Sequence, residues 1–206
     1  MRRLVLALPL VFLALSWDRV LTDRIFPPAP GRAASFDEAA ASLPGFNEGR
    51  RGEPGDPLSV VIVARPAVAV EALKAAGWTP VPNSFRGALF AGLSKPRDFR
   101  LRGRRQNMIF TRADALGGRR VLRLWRTGIV DPVSRDWWWG AIRLEGAPEV
   151  PADRSGERDA LVATLSSSPR VRALVVLPAD RVPREGVDDE GRDYRTDGRV
   201  AVADLR

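Results

Sequence analysis

Residues 119–145 constrain the fold of this chain more than any other stretch. They hold four of its six tryptophans, interleaved with arginines. Two runs in which apolar side chains alternate with arginine or tryptophan, 121–126 and 136–145, flank a turn that contains Asp131 and Pro132. Alternation with a period of two predicts β-strands, and Asp-Pro favours a turn that lets them pair antiparallel. The stretch therefore predicts a β-hairpin that shares one face with the core of a globular domain.

The other face of this hairpin is the candidate binding surface. Leu122 and Leu124 share one side of the first strand, while Arg123 and Trp125 share the other. If the polar and aromatic sides of the two strands coincide, three arginines lie over three tryptophans. Such stacking stabilises by about 0.5–1 kcal/mol per exposed pair, so it fits a structural role as well as a binding role. The candidate surface consists of Arg123, Trp125, Arg126, Trp137, Trp139 and Arg143.

Hydrophobic patterns and capping signals place the other elements. The β-branched run 58–64 suits a central strand covered on both faces. Pro66 at a first turn and Gly77 at a C-cap bracket a helix, and Asp153 or Ser155 caps a later one. The sequence thus predicts an α+β fold of two layers, with a mixed, mainly antiparallel sheet and helices on one face. Further predicted elements are a short helix at 84–93, strands at 107–110, 171–177 and 199–205, and a polar loop at 178–192.

The first 57 residues differ from the rest. Two arginines precede an uncharged apolar run at 4–15, and the small residues Ala14 and Ser16 fit cleavage before Trp17. The run is short for a membrane span of about 20 residues. A cleaved signal peptide, an uncleaved anchor and a buried cytoplasmic helix are all open, and the first two make the domain extracytoplasmic, either periplasmic or membrane-anchored. The predicted division is a signal peptide or N-terminal anchor at 1–16, a linker or stalk at 17–57 with one short helix capped by Ser35, and a domain at 58–206.

The chain has neither histidine nor cysteine. Catalysis by Ser-His-Asp or Cys-His groups is therefore excluded, as are thiolate metal sites and disulfide frameworks. The sequence also lacks a Walker loop, a dinucleotide-binding glycine pattern and a Gly-x-Ser-x-Gly elbow. No catalytic residue, metal or cofactor is predicted.

Basic residues are concentrated in one region. Residues 95–143 hold 13 Lys or Arg against four Asp, whereas the whole chain has a net charge of +8. Such a region can meet anionic lipid headgroups, nucleic acid or an acidic protein face, and it also fits the solvated outer face of a sheet. The predicted partner is a protein or anionic lipid at the membrane surface, because an export signal disfavours nucleic acid.

Four short motifs occur in order along the domain. They are Gly55-Asp56-Pro57-Leu58, Ala75-Ala76-Gly77-Trp78-Thr79-Pro80, Arg123-Leu124-Trp125-Arg126-Thr127 with Trp139-Gly140-Ala141, and Thr196-Asp197-Gly198-Arg199. Together they resemble the LssY-like C-terminal domain family, and Glu157-Arg158-Asp159 is similar to the start of a helix in that family. The motif positions singled out are Asp56, Pro57, Trp78, Thr196, Asp197, Gly198 and Arg199.

That family is linked to type I secretion and is often attached to membrane-embedded DedA-like or phosphatase-like modules. The resemblance therefore implies an exported, membrane-associated accessory domain without a defined activity. Family members tend to carry histidines just before the Arg-Leu-Trp strand and ahead of a later helix. This chain has Arg119-Arg120 and residues 149–152 at those places. If the histidines bind metal or move protons in relatives, this chain lacks that capacity.

Three functions compete. The predicted one is a noncatalytic accessory module that contacts a protein or an anionic surface through the Arg/Trp face; the alternatives are a carboxylate-dependent hydrolase of unknown substrate and a nucleic-acid binder. The acidic run 188–197 has the density of a calcium loop but not its Asp-x-Asp-x-Asp-Gly order, so Asp197-Gly198 is predicted to be a hairpin turn. The carboxylates considered for a hydrolase are Asp131, Asp136, Asp153, Glu157, Asp159, Asp188, Asp189, Glu190, Asp193 and Asp197.

Overall fold

The fold consists mainly of β-strands. A computed structural model of the chain describes residues 31–32, 35–49, 52–82, 99–115, 117–146 and 152–206. Strands account for 48% of these residues and helices for 20%. The helices are α1 (Phe36–Ser42), α2 (Pro66–Ala75) and α3 (Arg154–Ser166). The strands are β1 (Gly31–Arg32), β2 (Phe46–Glu48), β3 (Pro54–Pro57), β4 (Val60–Ala64), β5 (Thr79–Val81), β6 (Arg100–Leu101), β7 (Arg104–Arg105), β8 (Met108–Ala113), β9 (Arg119–Val130), β10 (Asp136–Glu145), β11 (Ala152–Asp153), β12 (Val171–Pro178), β13 (Glu185–Val187), β14 (Asp193–Arg195) and β15 (Arg199–Leu205).

An eight-stranded sheet forms the centre of the molecule. Its order is β12-β15-β4-β10-β9-β8-β5, and β1 lies beside β9. β15 runs parallel to β4 and β1 parallel to β9, whereas the other neighbours are antiparallel. All of β4 is buried, because Val61 packs into the core on one side of the sheet and Ile62 into the core on the other. The predicted central strand, the predicted β9–β10 hairpin and the predicted strand at 199–205 are confirmed.

The two faces of this sheet are covered by different elements. α2 and α3 pack on one face, where Leu73 and Leu161 contact the core around Leu122. We name it the helical face. α1 and the hairpin formed by β6 and β7 cover the other face, where Phe99 packs into the same core as Trp125. We name it the hairpin face.

The predicted two-layer α+β fold with helices on one face is wrong. Helices lie on both faces of the main sheet, and most of the ordered structure is strand. Two small sheets, ordered β3-β2-β6-β7 and β11-β14-β13, add strands outside the main sheet. Their strands are only two to four residues long, which leaves no measurable alternation in the sequence. Segments rich in proline, glycine and arginine therefore resemble loops.

Residues 35–49 and 52–57 belong to this fold and do not form a linker. Ser35 caps α1 through its Oγ, as predicted. Asn47 and Asp56 are fully buried, and the Oδ1 of Asn47 accepts a hydrogen bond of 2.9 Å from the backbone N–H of Asp56. The linker predicted at 17–57 must be corrected from Ser35 onward, because its proline and glycine residues form the turns and short strands of a small sheet.

α2 and α3 begin where the sequence predicts. Pro66 is the first residue of α2, and Gly77 follows its end with φ of 82°, a conformation that favours glycine. The side chain of Asp153 accepts a hydrogen bond of 3.0 Å from the N–H of Ser155, so Asp153 is the N-cap of α3. The predicted strands at 107–110 and 171–177 are β8 and β12, while the predicted loop at 178–192 contains β13.

Two predictions lie outside the described residues. These are the signal peptide or anchor at 1–16 and the helix at 84–93; residues 17–30 of the predicted linker are also not described. None of the helices found within the described ranges has the length and apolar character needed to cross a membrane.

Candidate functional site

The β9–β10 hairpin carries the predicted surface residues into the interior. Trp125 and Trp139 are opposite each other in the register of the two strands. Arg123 on β9, and Trp137 and Arg143 on β10, follow at two-residue steps on the same face. All five side chains are at most 5% exposed. The expected exposed Arg/Trp surface is therefore buried, because α1 and the β6–β7 hairpin pack over the face that it occupies.

Arg126 lies apart from the other five predicted surface residues. It is opposite Trp138 in the strand register, so its side chain projects from the helical face of the sheet. Half of this side chain is exposed, and its Nη2 lies 2.7 Å from the Oδ1 of Asp136. Its grouping with Arg123 is wrong, because residues separated by three along a strand point to opposite faces.

Two arginine–aromatic contacts connect the β6–β7 hairpin to the hairpin face. The guanidinium carbon of Arg123 lies 4.2 Å from the ring centroid of Phe99, and that of Arg102 lies 5.4 Å from the ring centroid of Trp139. The Nη2 of Arg123 also donates a hydrogen bond of 2.7 Å to Glu145. Arginines thus stack on aromatic rings here, but Phe99 and Arg102 are partners that the hairpin pattern did not identify.

The described tryptophans differ in hydrogen bonding according to their face. On the helical face, the indole N–H of Trp78 donates to Thr164 at 3.1 Å, and that of Trp138 donates to the carbonyl oxygen of Ala64 at 3.0 Å. On the hairpin face, the buried groups without a hydrogen-bond partner in the described part of the chain include three indole N–H groups, the Nη1 of Arg123 and the Nε of Arg143, which belongs to the ion-pair cluster described next. Each such group costs about 1–3 kcal/mol of desolvation. Four of these groups, named here the donor set, are the Nη1 of Arg123 and the Nε1 of Trp125, Trp137 and Trp139.

A buried ion-pair cluster lies beyond the donor set along β10. The Nη2 of Arg154, at the start of α3, is 3.1 Å from an oxygen of Asp56 and 3.1 Å from one of Asp188. Its Nη1 is 3.0 Å from Glu157. Arg143 is 3.8 Å from Asp56 and 3.6 Å from Asp188. These five residues, the ion-pair cluster, connect the main sheet, α3 and both small sheets.

The turn between β13 and β14 adds further carboxylates to Arg143. Asp189 lies 3.0 Å from Arg143, and Glu190 also pairs with it. Arg192 in turn lies 3.0 Å from Asp188 and 2.8 Å from Glu190. The acidic run considered for calcium is thus paired with arginines, and the described residues contain no group of acidic side chains arranged to hold a metal ion.

Burial and charge act in opposite directions on the pKa values of the cluster. Burial acts to lower the pKa of Arg143, but the surrounding carboxylates, Asp56 first among them, outweigh it and raise that pKa. Burial raises the pKa of Glu157 and that of Asp188, and the neighbouring arginines offset only part of the effect. The cluster therefore holds permanently charged guanidinium groups beside two carboxyl groups that retain a proton to a higher pH than usual.

The family-motif positions fall at separate places. Asp56, with Pro57 beside it, is in the ion-pair cluster, whereas Trp78 is on the helical face. Asp197 accepts a hydrogen bond of 2.6 Å from the buried Arg158 of α3, and this bond lowers the pKa of Asp197. The structure therefore does not bring the motif residues together into one site.

The turn 196–199 does not form the predicted hairpin. Thr196 accepts a hydrogen bond of 3.0 Å from the N–H of Gly198, which has φ of 71°. β14 before it belongs to the small three-stranded sheet, while Arg199 begins β15 of the main sheet. The turn carries the chain from one sheet to another, so the two strands around it are not paired.

Arg154 is the main residue of the site that the sequence reading missed. It is the first residue of α3 and is 1% exposed. A cation in the first turn opposes the helix dipole, so it needs compensation from acidic neighbours. An arginine at the start of the predicted helix therefore indicates acidic neighbours, but the sequence does not show that these are Asp56 and Asp188.

No known protein family model, curated protein or solved structure matches this chain. The resemblance to the LssY-like C-terminal domain therefore stays a prediction that these comparisons do not test.

Proposed function

We propose that this chain is an exported, membrane-associated accessory domain that binds an anionic lipid surface with the exposed tip of its β6–β7 hairpin. The binding role predicted from the sequence is kept, but its location moves from the buried Arg/Trp face to this tip. The resemblance to the LssY-like family supports a place at the membrane, and the basic region 95–143, which includes the hairpin, supports an anionic partner.

One juxtaposition carries the proposal. Arg102 is exposed at the turn between β6 and β7, and Phe46 of β2 is 41% exposed. Because Glu48 pairs with Arg100, Phe46 and Arg102 lie at the same end of the small sheet. An arginine near an anionic membrane contributes about 1 kcal/mol, and a phenylalanine ring can be buried at the boundary between headgroups and acyl chains. Residues 100–105 contain four arginines and no acidic residue.

One carboxylate lies at the tip, where the Oε2 of Glu48 accepts a hydrogen bond of 3.3 Å from the N–H of Gly103, but two others nearby are turned into the fold. Asp56 and Asp188 are buried and face Arg143 and Arg154. Their negative charge is thus neutralised inside the fold and weakens the potential at the tip little. An anionic surface approaching the tip meets the charge of Arg102 together with the exposed ring of Phe46.

Vesicle binding tests the proposal. The full-length chain is mixed with vesicles of phosphatidylcholine alone or with three tenths phosphatidylglycerol, and binding is measured by flotation. We expect Arg102→Ala to weaken binding to the anionic vesicles about fivefold, which corresponds to about 1 kcal/mol. Binding should also weaken as salt rises. Lys74→Ala is the matched control. This substitution also removes one positive charge, but from an exposed side chain of α2, which packs on the helical face.

Equal binding by the Arg102→Ala and Lys74→Ala variants would contradict a specific role for the tip. Equal binding to neutral and anionic vesicles would contradict recognition of charge, and would assign the membrane affinity to another segment of the chain.

The ion-pair cluster favours a second candidate, the carboxylate-dependent hydrolase. Glu157 is buried with a raised pKa, which suits a general acid, and it lies 3.0 Å from the guanidinium of Arg154. If the chain is such a hydrolase, it should hydrolyse p-nitrophenyl acetate or p-nitrophenyl phosphate, and the Glu157→Gln variant should lose this activity. Turnover should be unchanged in Glu185→Gln, an exposed glutamate of β13. Indistinguishable rates for the two variants would exclude Glu157 as the acid for these substrates.

A further inference from the structure

The donor set is chemically one-sided. An indole N–H can only donate a hydrogen bond, and a guanidinium group can only donate as well. All members of the set belong to side chains that are at most 5% exposed, so bulk water does not reach them freely. Whatever satisfies them must supply acceptor atoms in the interior.

The members of the donor set are neighbours on one face of the sheet. Trp125 is opposite Trp139, and Arg123 precedes Trp125 by two residues on the same strand face. Trp137 precedes Trp139 in the same way on β10. All three tryptophans pack among aliphatic and aromatic side chains of the hairpin face, which also holds the buried Arg123 and Arg143. The donors thus line a mainly apolar interior.

The β6–β7 hairpin lies directly over these donors. Arg102 contacts the ring of Trp139, and Phe99 beside the hairpin contacts Arg123. The Nη1 of Arg104 also donates a hydrogen bond of 2.8 Å to the carbonyl oxygen of Arg126, which attaches the hairpin to β9. Arg102, Arg104 and Arg123 thus surround the donor set together with the carboxylates of Glu48 and Glu145, and this excess of arginine favours a negatively charged occupant.

We propose that the donor set binds the oxyanion head of one anionic amphiphile, a carboxylate or phosphate carried on an apolar chain. A carboxylate or phosphate oxygen is an acceptor and matches groups that only donate. The apolar chain of the ligand would lie among the aliphatic side chains of the hairpin face. This inference deepens the proposed function and rests on it for the anionic source: a lipid at the surface under the tip supplies such a head, and so does a free fatty acid.

The head and the chain of the ligand are tested separately. The delipidated full-length chain is titrated by calorimetry with decanoate or decyl phosphate below their micelle concentrations, with decanol below its solubility limit, or with inorganic phosphate. We expect one equivalent of decanoate or decyl phosphate to bind. Decanol should bind at least tenfold more weakly, because it lacks the charge that strengthens hydrogen bonds to the donors. Inorganic phosphate should bind weakly, because it lacks the apolar chain.

Tryptophan-to-phenylalanine variants test the donors themselves. Trp125→Phe and Trp139→Phe keep an aromatic ring and remove one unpaired N–H, so each should weaken decanoate binding about tenfold. Trp78→Phe and Trp138→Phe are the matched controls, since their N–H groups are already bonded on the helical face. The controls should bind decanoate as the unchanged chain does.

Indole N–H signals give a second readout that does not depend on affinity. In ¹H–¹⁵N spectra, decanoate should shift the signals of Trp125, Trp137 and Trp139 downfield and leave those of Trp78 and Trp138 in place. Equal binding of decanoate and decanol, unchanged binding in the hairpin-face variants, or shifts spread over both faces would each overturn the proposal, as would an absence of decanoate binding.

The two proposals fail in different ways. If Arg102→Ala binds anionic vesicles as Lys74→Ala does while decanoate still requires the indole N–H groups, the interior site stands and the membrane-binding tip fails. If vesicle binding depends on Arg102 but decanoate binding ignores the hairpin-face variants, the tip stands and the interior site fails.

Discussion

The two faces of the main sheet are made by the same strands but differ in character. On β9 and β10, the side chains that point to the helical face include Leu122, Leu124 and Ile142, and the indole of Trp138 has a hydrogen-bond partner. The side chains that point to the hairpin face include Arg123 and the unpaired indoles. Unsatisfied buried groups are therefore more numerous on the hairpin side of these two strands, although the Nε of Arg120 on the helical side also lacks a partner among the described residues.

The difference indicates that a functional site is to be sought on the hairpin face. Buried polar groups in native folds are nearly always hydrogen-bonded, so a concentration of exceptions on one face needs an explanation. Sequences tend to break local rules at functional sites and to compensate for the cost elsewhere. The helical face supplies stability that offsets the cost on the hairpin face, and the predictions below test that division.

The largest expected effect concerns the ion-pair cluster at the end of the hairpin face. Arg154→Met should reduce the free energy of unfolding by about 3–5 kcal/mol, because three buried carboxylates lose their common cation. Arg172→Met is the control, since Arg172 is exposed on β12 and should change stability by no more than about 0.5 kcal/mol. Urea unfolding measures both variants, and equal stabilities would show that the cluster is solvated.

Phenylalanine substitutions at Trp138 and Trp139 test the contrast between the faces directly. Trp138→Phe leaves the carbonyl oxygen of Ala64 without its partner, whereas Trp139→Phe removes a donor that has none. The loss of ring area is the same in both variants. Trp138→Phe should therefore be the more destabilising by about 1–3 kcal/mol in thermal or urea unfolding of the delipidated chain. Equal costs would show that the hairpin-face indoles are satisfied after all.

Two acidic side chains bound to neighbouring arginines of α3 should give pH dependences of opposite sign. The hydrogen bond from Arg158 lowers the pKa of Asp197 below its usual 3.8, so the pair stabilises the fold above that pH and is lost as the pH falls through the folded pKa. Burial raises the pKa of Glu157 above its usual 4.5, so stability decreases as the pH rises through the folded pKa.

Variants at these two positions measure the signs. Asp197→Asn should cost on the order of 1 kcal/mol at neutral pH, and this cost should decrease as the pH falls below 3.8 toward the lowered pKa of the folded state. Glu157→Gln imitates the protonated side chain, so its stability relative to the unchanged chain should rise with pH above 4.5. The same slope for both variants would contradict the assignment of burial as the dominant effect on Glu157.

The smallest expected effect is at Arg126. Its side chain is half exposed and pairs with Asp136, so Arg126→Ala should change the free energy of unfolding by less than about 1 kcal/mol. It should also leave decanoate binding unchanged, because Arg126 points away from the donor set. Loss of decanoate binding in this variant would show that the ligand site is not confined to the hairpin face.

Period-two alternation was enough to predict the hairpin and the sides of its strands. Leu122, Leu124 and Trp138 do share a face, and so do Trp125 and Trp139. The alternation could not show whether the second face meets water or another layer, because arginine and tryptophan occur in both settings. One part of the covering layer, α1, comes from the segment whose proline and glycine content indicated a linker, and the other, the β6–β7 hairpin, has strands of only two residues.

The ion-pair cluster was beyond prediction for a different reason. Asp56, Arg143, Arg154 and Asp188 lie far apart in the chain, and no local pattern connects an acidic residue with one particular arginine among many. The caps of α1 and α3 were predictable, because a cap and its bonded N–H lie within three residues. Contacts between distant side chains depend on sheet order, which the sequence left undetermined.

The position of β15 has a consequence for how the molecule folds. This strand lies between β12 and β4, and its parallel partner β4 precedes it by more than half the chain. Val202 of β15 belongs to the core of the hairpin face and Ala203 to that of the helical face. Neither core can close before this late strand arrives, so the two faces should unfold together in one cooperative transition. The long loop that must close first predicts slow folding, with β12 and both cores exposed to chaperones and proteases until it does.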